Sequence, residues 1–195
     1  MTGTPPLPEK VVALVHALES GDVPFAVGGA LALAYYGEPR ATVDIDINIF
    51  MSPDDVERVG ALLQPLGIGL TSTDQRLARR DGQIRLWWDD TAVDLFFAYD
   101  EFHFHAAGRI RLVPFRDMTI PILAAEDLMV CKVVFDRPKD WIDIDQMLIL
   151  TAGELDINDV RRWVTRIVGP EDPRLAHLEQ RIEMVLGAGG GASER

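Results

Sequence analysis

Residues 43–50, Val-Asp-Ile-Asp-Ile-Asn-Ile-Phe, alternate apolar and polar positions with a period of two. That period predicts a strand with Ile45, Ile47 and Ile49 on its buried face and Asp44, Asp46 and Asn48 on the other. Upstream, apolar residues at 7, 11, 14, 15 and 18 follow the spacing of an amphipathic helix that ends at Gly21-Asp22. "FAVGG" predicts a short buried strand running into two glycines, and "ALALAYYG" a helix closed by Gly37, before the loop "EPRAT". Ser52-Pro53-Asp54-Asp55 carries an N-cap residue, a proline for the first turn and acids beside it, so a helix is expected to about Leu66, with Gly67 as its stop.

Further on, residues 72–82 predict a short basic helix, and "QIRLWW" and "TAVDLFF" a hairpin turning at Asp89-Asp90. Trp87 and Trp88 then point to opposite faces, one into the core. "FHFH" brings His103 and His105 to one side only if extended; with no third ligand at a suitable spacing they are expected as loop or sheet residues. "GRIRLVPF" and "MTIPIL" predict edge strands. From Ala124 the pattern is helical through four segments ending near Gly187. Strands mixed with helices, then helices alone, predict an α/β (α+β) domain over 1–122, a C-terminal helical bundle over 123–187 and a flexible tail over 188–195.

A chain of 195 residues, nearly half of them hydrophobic, can bury a real core. No apolar run reaches the length of a membrane span, and "MTGTPPLPEK" lacks the layout of a signal peptide, so a cytoplasmic protein without a membrane partner is expected. The single cysteine, Cys131, is expected to be a buried thiol. The net charge of −12 argues against a simple nucleic-acid binder, although Arg76, Arg79, Arg80 and Arg85 form one local cluster and Arg161, Arg162 and Arg166 another.

The charge changes the meaning of the first strand. Two carboxylates sharing one face repel each other unless a cation sits between them, and oxygen ligands at this spacing suit Mg²⁺ or Mn²⁺. Asp94, flanked by Val93 and Leu95 in another alternating strand, is the best third acid; Asp89 or Asp90 would replace it if the strand register slipped. Gly28-Gly29, between strand and helix, would let the backbone approach an anion closely.

With these residues in view, "VGGALALAYYGEPRATVDIDINIF" resembles the signature of the nucleotidyltransferase superfamily with the DNA polymerase β-type fold, and within it the AbiEii-type toxins, including the Men-type toxins. The matching positions are Gly28, Gly29, Arg40, Thr42, Asp44 and Asp46. "PILAAEDLMVCKVVFDRPKDWIDIDQML" is similar to the family's later segment and adds Lys132, Arg137 and Asp140. The resemblance covers roughly residues 24–150. It departs at Ala30, where no serine hydroxyl follows the glycines.

The resemblance implies NMP transfer from an NTP with Mg²⁺ (or Mn²⁺) on Asp44, Asp46 and Asp94. It implies Lys132, Arg40 and Arg137 near phosphates or in support, Thr42 with the glycines in nucleotide binding, and Asp140 accepting a proton or orienting a base. It also implies the tRNA 3′ end as acceptor and a cognate antitoxin as partner. Modification of a protein hydroxyl (AMPylation) or of a small-molecule antibiotic is the enzymatic alternative, and a catalytically degenerate binding module the non-enzymatic one. Asp140 and Asp143 also suit a helix start, where the dipole favours acids.

Overall fold

The computed structural model describes residues 4–151 and 153–189. In chain order its elements are α1 (Leu7–Ser20), β1 (Phe25–Val27), α2 (Gly29–Leu33), β2 (Asp44–Ile49), α3 (Val56–Leu63), α4 (Ser72–Asp81), β3 (Gln83–Trp88), β4 (Thr91–Phe97), α5 (Glu101–Ala107), β5 (Arg111–Phe115), β6 (Met118–Ile122), α6 (Ala125–Phe135), α7 (Pro138–Leu150), α8 (Ile157–Val168) and α9 (Pro173–Gly189). This is a mixed α+β chain. It divides into two compact units, the first containing the chain up to Leu31 and Ala41–Leu123, the second Ala32–Arg40 and the chain from Ala124.

The first unit is built on a six-stranded mixed sheet in the order β3-β4-β2-β1-β6-β5. β2 pairs antiparallel with β1 and parallel with β4, while β1 pairs parallel with β6. Ile45, Ile47 and Ile49 are buried with Val93, Leu95 and Phe97 of β4 and Ile84, Leu86 and Trp88 of β3. Each such side chain contributes about 1.5–3 kcal/mol on burial, which fixes the strand register and leaves the acids no choice of face. The edge position expected for both late strands holds for β5 alone, since β6 lies inside the sheet between β1 and β5.

Lys10, within the apolar stripe of α1, is 1 % exposed. Its ammonium donates to Trp88 O and Thr91 Oγ1, both at 2.9 Å, and to Asp90 Oδ1 at 3.3 Å. The helix is thereby tied to the β3–β4 turn. A buried ammonium is tolerated because three acceptors replace its water. The "FHFH" segment is helical, not loop or sheet: Asp100 caps α5 by accepting from the Phe102 and His103 N–H groups at 2.9 and 3.4 Å. α2 stops at Leu33, short of the expected Gly37, because Tyr36 and Gly37 both donate to Leu33 O in successive tight turns.

In the second unit α6 contacts α7, α8 and α9. Leu128, Met129, Val133, Ile144, Met147, Val160, Val164 and Leu178 are buried there. Arg161 makes a two-pronged bond to Glu179 at 2.6 and 2.7 Å, Arg181 pairs with Asp145, and Trp141 lies against His177 with ring centroids 3.8 Å apart. Cys131, expected in the core, is half-buried on α6. Of the expected tail, residues 188 and 189 still belong to α9, and residues 190–195 lie outside the described residues.

Candidate active site

The strand register assembles the acids. In the β2–β4 ladder Asp46 is opposite Asp94 and Asp44 opposite Ala92. Side chains two apart on a strand share a face, so Asp44, Asp46 and Asp94 form a half-buried group on the side of the sheet away from Ile45, Ile47 and Ile49. Asp89 and Asp90 are instead in the hairpin turn, where both lie within ion-pair reach of Lys10.

Two neighbours hold the first two acids. The Thr42 hydroxyl donates to the Asp44 carboxylate, so this threonine orients an acid. Gly29 has φ +55°, and a Cβ built there would lie 1.7 Å from Asp46 Oδ2. Only glycine leaves room for that carboxylate. The Gly28 N–H donates to Asp46 O at 2.8 Å and is therefore committed to the sheet. The glycine pair thus seats Asp46, a role that the expected close approach to an anion did not include.

Sequence reasoning missed Arg85 as part of this group. It lies opposite Asp94 across the β3–β4 hairpin and grips that carboxylate with both prongs, Nε to Oδ1 at 2.7 Å and Nη2 to Oδ2 at 2.6 Å. The hydrogen-bonded Asp94, and at longer range Asp44 and Asp46, hold the Arg85 guanidinium above its ordinary pKa. Two residues along, Trp87 is 57 % exposed and pairs with Ala92, the residue opposite Asp44. Its indole therefore stands on the acid-bearing face, while Trp88 is the core tryptophan.

The remaining expected residues meet in the second unit. Lys132, 4 % exposed, donates to Asp143 Oδ2 at 2.6 Å and lies 3.8 Å from Asp140 Oδ1. Arg40 grips Asp143 through Nε and Nη2, both at 3.2 Å. Arg137 grips Asp140 at 2.6 and 3.2 Å, and Asp140 also accepts from the Arg137 backbone N–H, as a helix-start acid does. Three cations against two carboxylates leave one positive charge, carried at the surface by the half-exposed guanidinium groups of Arg40 and Arg137. Asp143, 2 % exposed, is the hub of the cluster. The signal for it was available: Asp140 and Asp143 recur at helical spacing along the apolar stripe Trp141, Ile144, Met147 and Leu148.

Most arginines of the two basic clusters are paired with acids, while Arg76 bonds to the Thr73 hydroxyl and Arg166 lies over the Trp163 ring. Arg79 pairs with Glu57 and Asp54, Arg80 with Asp81, Arg85 with Asp94, Arg161 with Glu179 and Arg162 with Asp159. The three acids of the first unit share one face of the sheet and offer oxygen donors of the kind a small hard dication takes. No helix among the described residues is long and apolar enough to cross a membrane.

Comparison with known proteins gives the family and the fold. The family model "Nucleotidyl transferase AbiEii toxin, Type IV TA system" matches residues 12–184. No curated protein matches. Among solved structures the chain is similar to the antibiotic-resistance factor ANT(2″)-Ia, with TM-score 0.59 and 15 % identity over 91 % of this chain and 97 % of that one. That enzyme has also been solved with adenylyl-2″-tobramycin. A second neighbour is the lincosamide antibiotic adenylyltransferase LnuA, solved with lincomycin, with TM-score 0.50 and 13 % identity over 73 % of this chain and 97 % of that one. At these identities the likeness is one of fold.

Proposed function

The chain belongs to the AbiEii family of nucleotidyl transferase toxins and is an enzyme of nucleotide transfer, and on that premise we propose that it moves a nucleoside monophosphate from an NTP to the 3′ end of tRNA, opposed in the cell by a cognate antitoxin. The observation that carries the reading is the register that sets Asp94 against Asp46, beside Asp44, on one half-buried face of the sheet. Asp44, Asp46 and Asp94 would hold Mg²⁺ or Mn²⁺. A bound dication supplies Lewis-acid stabilisation of the α-phosphate and lowers the pKa of the attacking hydroxyl. Thr42 and Gly29 keep Asp44 and Asp46 in position, and Arg85 does so for Asp94. Within the second unit Arg40, gripped by Asp143, and Arg137, gripped by Asp140, would offer positive charge to phosphates, and Lys132 braces Asp143. Trp87 offers a planar surface for stacking a base of the acceptor.

A second acceptor class has its own support. A net charge of −12 and ion-paired arginine clusters suit a small cationic acceptor, such as an aminoglycoside, better than a polyanion. The deciding experiment offers each of the four NTPs, labelled at the α-phosphate, with Mg²⁺ to total tRNA, to an aminoglycoside and lincosamide panel, and to lysate protein. Asp46→Ala serves as control. Label on tRNA that is lost in the variant supports the leading reading; label confined to an antibiotic or to protein replaces its acceptor; and the same label in the variant refutes the site.

A further inference from the structure

Three carboxylates on one face of a sheet need positive charge whether or not a dication is bound, and the chain carries a cation of its own. Both Asp94 oxygens accept from Arg85, at 2.6 and 2.7 Å. The pair is asymmetric: Asp94 is 13 % exposed and Arg85 is 54 % exposed. Arg85 also belongs to β3, an end strand of the sheet, so its guanidinium can swing into water and stay hydrated, provided another cation takes its place on Asp94. Asp94 has no such freedom, because it is fixed between Asp46 on one neighbouring strand and Arg85 on the other.

We infer that Arg85 is a built-in counter-cation that competes with the divalent ion for Asp94, and so sets the metal affinity of the site. This rests on the reading that Asp44, Asp46 and Asp94 hold the ion. In the metal-free protein the guanidinium neutralises Asp94 and relieves its repulsion with Asp46. The guanidinium takes one lone pair on each Asp94 oxygen and part of the carboxylate's charge, so an incoming ion meets a weaker ligand until the fork loosens. Arg85 is accordingly a positioning residue. It acts on metal and substrate only through Asp94. The arrangement trades affinity for order: the acids stay in place without metal, and the ion binds less tightly than three unencumbered carboxylates would allow.

A purely structural ion pair predicts the opposite effect of its removal, since loosening Asp94 would weaken metal binding. The test is Mn²⁺ titration of the full chain, with free Mn²⁺ read by electron paramagnetic resonance, in the wild type, Arg85→Gln, Arg85→Lys and Asp46→Ala. Circular dichroism checks folding, and melting is recorded with and without Mn²⁺. Arg85→Gln should bind Mn²⁺ about tenfold tighter, the scale on which a neighbouring opposite charge changes a carboxylate's cation affinity. It should also melt below the wild type without metal and gain more from Mn²⁺. Arg85→Lys, with one ammonium and no fork, should fall between them and decides the matter if the glutamine variant does not fold. Equal or weaker binding in Arg85→Gln, alongside wild-type binding that Asp46→Ala abolishes, overturns the competition alone. Absence of Mn²⁺ binding from wild type and variants, or unchanged binding in Asp46→Ala, removes the metal reading and the inference together.

Discussion

Gly29→Ala puts the smallest possible side chain at the point where the backbone meets the first acids. Two costs are readable from the geometry. At φ +55° a residue with a Cβ pays the left-handed penalty, about 1–2 kcal/mol. That corresponds to a drop in melting temperature of about 2–4 °C per kcal/mol for a chain of this size. The second cost falls on Asp46. The new Cβ would stand 1.7 Å from Oδ2 and 2.5 Å from Cγ, where real Cβ contacts stay at 3.0 Å or more, so the carboxylate must retreat by about 1.3 Å. A displacement on the order of 1 Å at a reacting centre costs about a hundredfold in rate. Nucleotide transfer should therefore fall far more than the modest loss of stability accounts for. Gly28→Ala is the matched control, because its Cβ meets the Asn48 amide at 2.7 Å and stays 3.8 Å from Asp46 Cβ. Urea denaturation measures the stability term, and labelled-nucleotide transfer at saturating Mg²⁺ measures the chemical one. Transfer by Gly29→Ala within about threefold of wild type, with the fold intact, would refute the argument that this glycine exists to seat Asp46.

Lys132→Met leaves two nearly inaccessible carboxylates with less compensation and should lower the urea-unfolding free energy by about 3 kcal/mol, whereas Arg137→Ala removes a half-exposed guanidinium from buried Asp140, which keeps Lys132 nearby, and should cost less, about 1–2 kcal/mol. Lys10→Met removes the buried donor to the Trp88 carbonyl and the Thr91 hydroxyl and should cost about 1–3 kcal/mol by the same assay. Burial pushes the His103 imidazole below its ordinary value of 6.5, against the opposing pull of Asp100. The unfolded chain then binds the extra proton first, so stability falls as pH drops below 6.5 and levels off below the folded-state value; His103→Asn should flatten that slope in denaturation curves recorded across the window. Trp87→Ala should weaken binding of a short single-stranded RNA, measured by fluorescence anisotropy, by about 1–3 kcal/mol while Trp87→Phe retains most of it; equal affinity in all three proteins would remove the stacking role.

Much of the site was legible because strands obey a period of two. The alternation around Asp44 and Asp46 gave their shared face, and the apolar neighbours of Asp94 gave its strand. The hairpin held more than was taken from it. A two-residue turn at Asp89-Asp90 already requires Arg85 to face Asp94, but Arg85 had been grouped with the helix arginines as general basic surface. Lys10 and Asp143 were hidden for another reason. Each is a charged residue on an apolar stripe, and what makes burial tolerable there is a partner far along the chain: Trp88 and Thr91 for Lys10, Arg40 for Asp143. Helical periodicity finds stripes; it does not name such partners. The glycine pair was expected to let the backbone approach an anion, and the group the structure shows beside Gly29 is the chain's own carboxylate.

The bond from Lys10 to the hairpin bears on the order in which this protein comes together. Its acceptors lie 78 and 81 residues further along, so the contact closes a long loop and is among the entropically slow ones to form. β3 and β4 can zip locally around their turn, and Arg85 can find Asp94 early. The clamp on the turn end of that hairpin waits until α1 is folded and docked. A chain shortened past Lys10 would keep all three acids and both glycines, yet lose the clamp on the turn from which the strand bearing the third acid starts. Deletion at one terminus would then read out as loss of chemistry at the middle of the sequence.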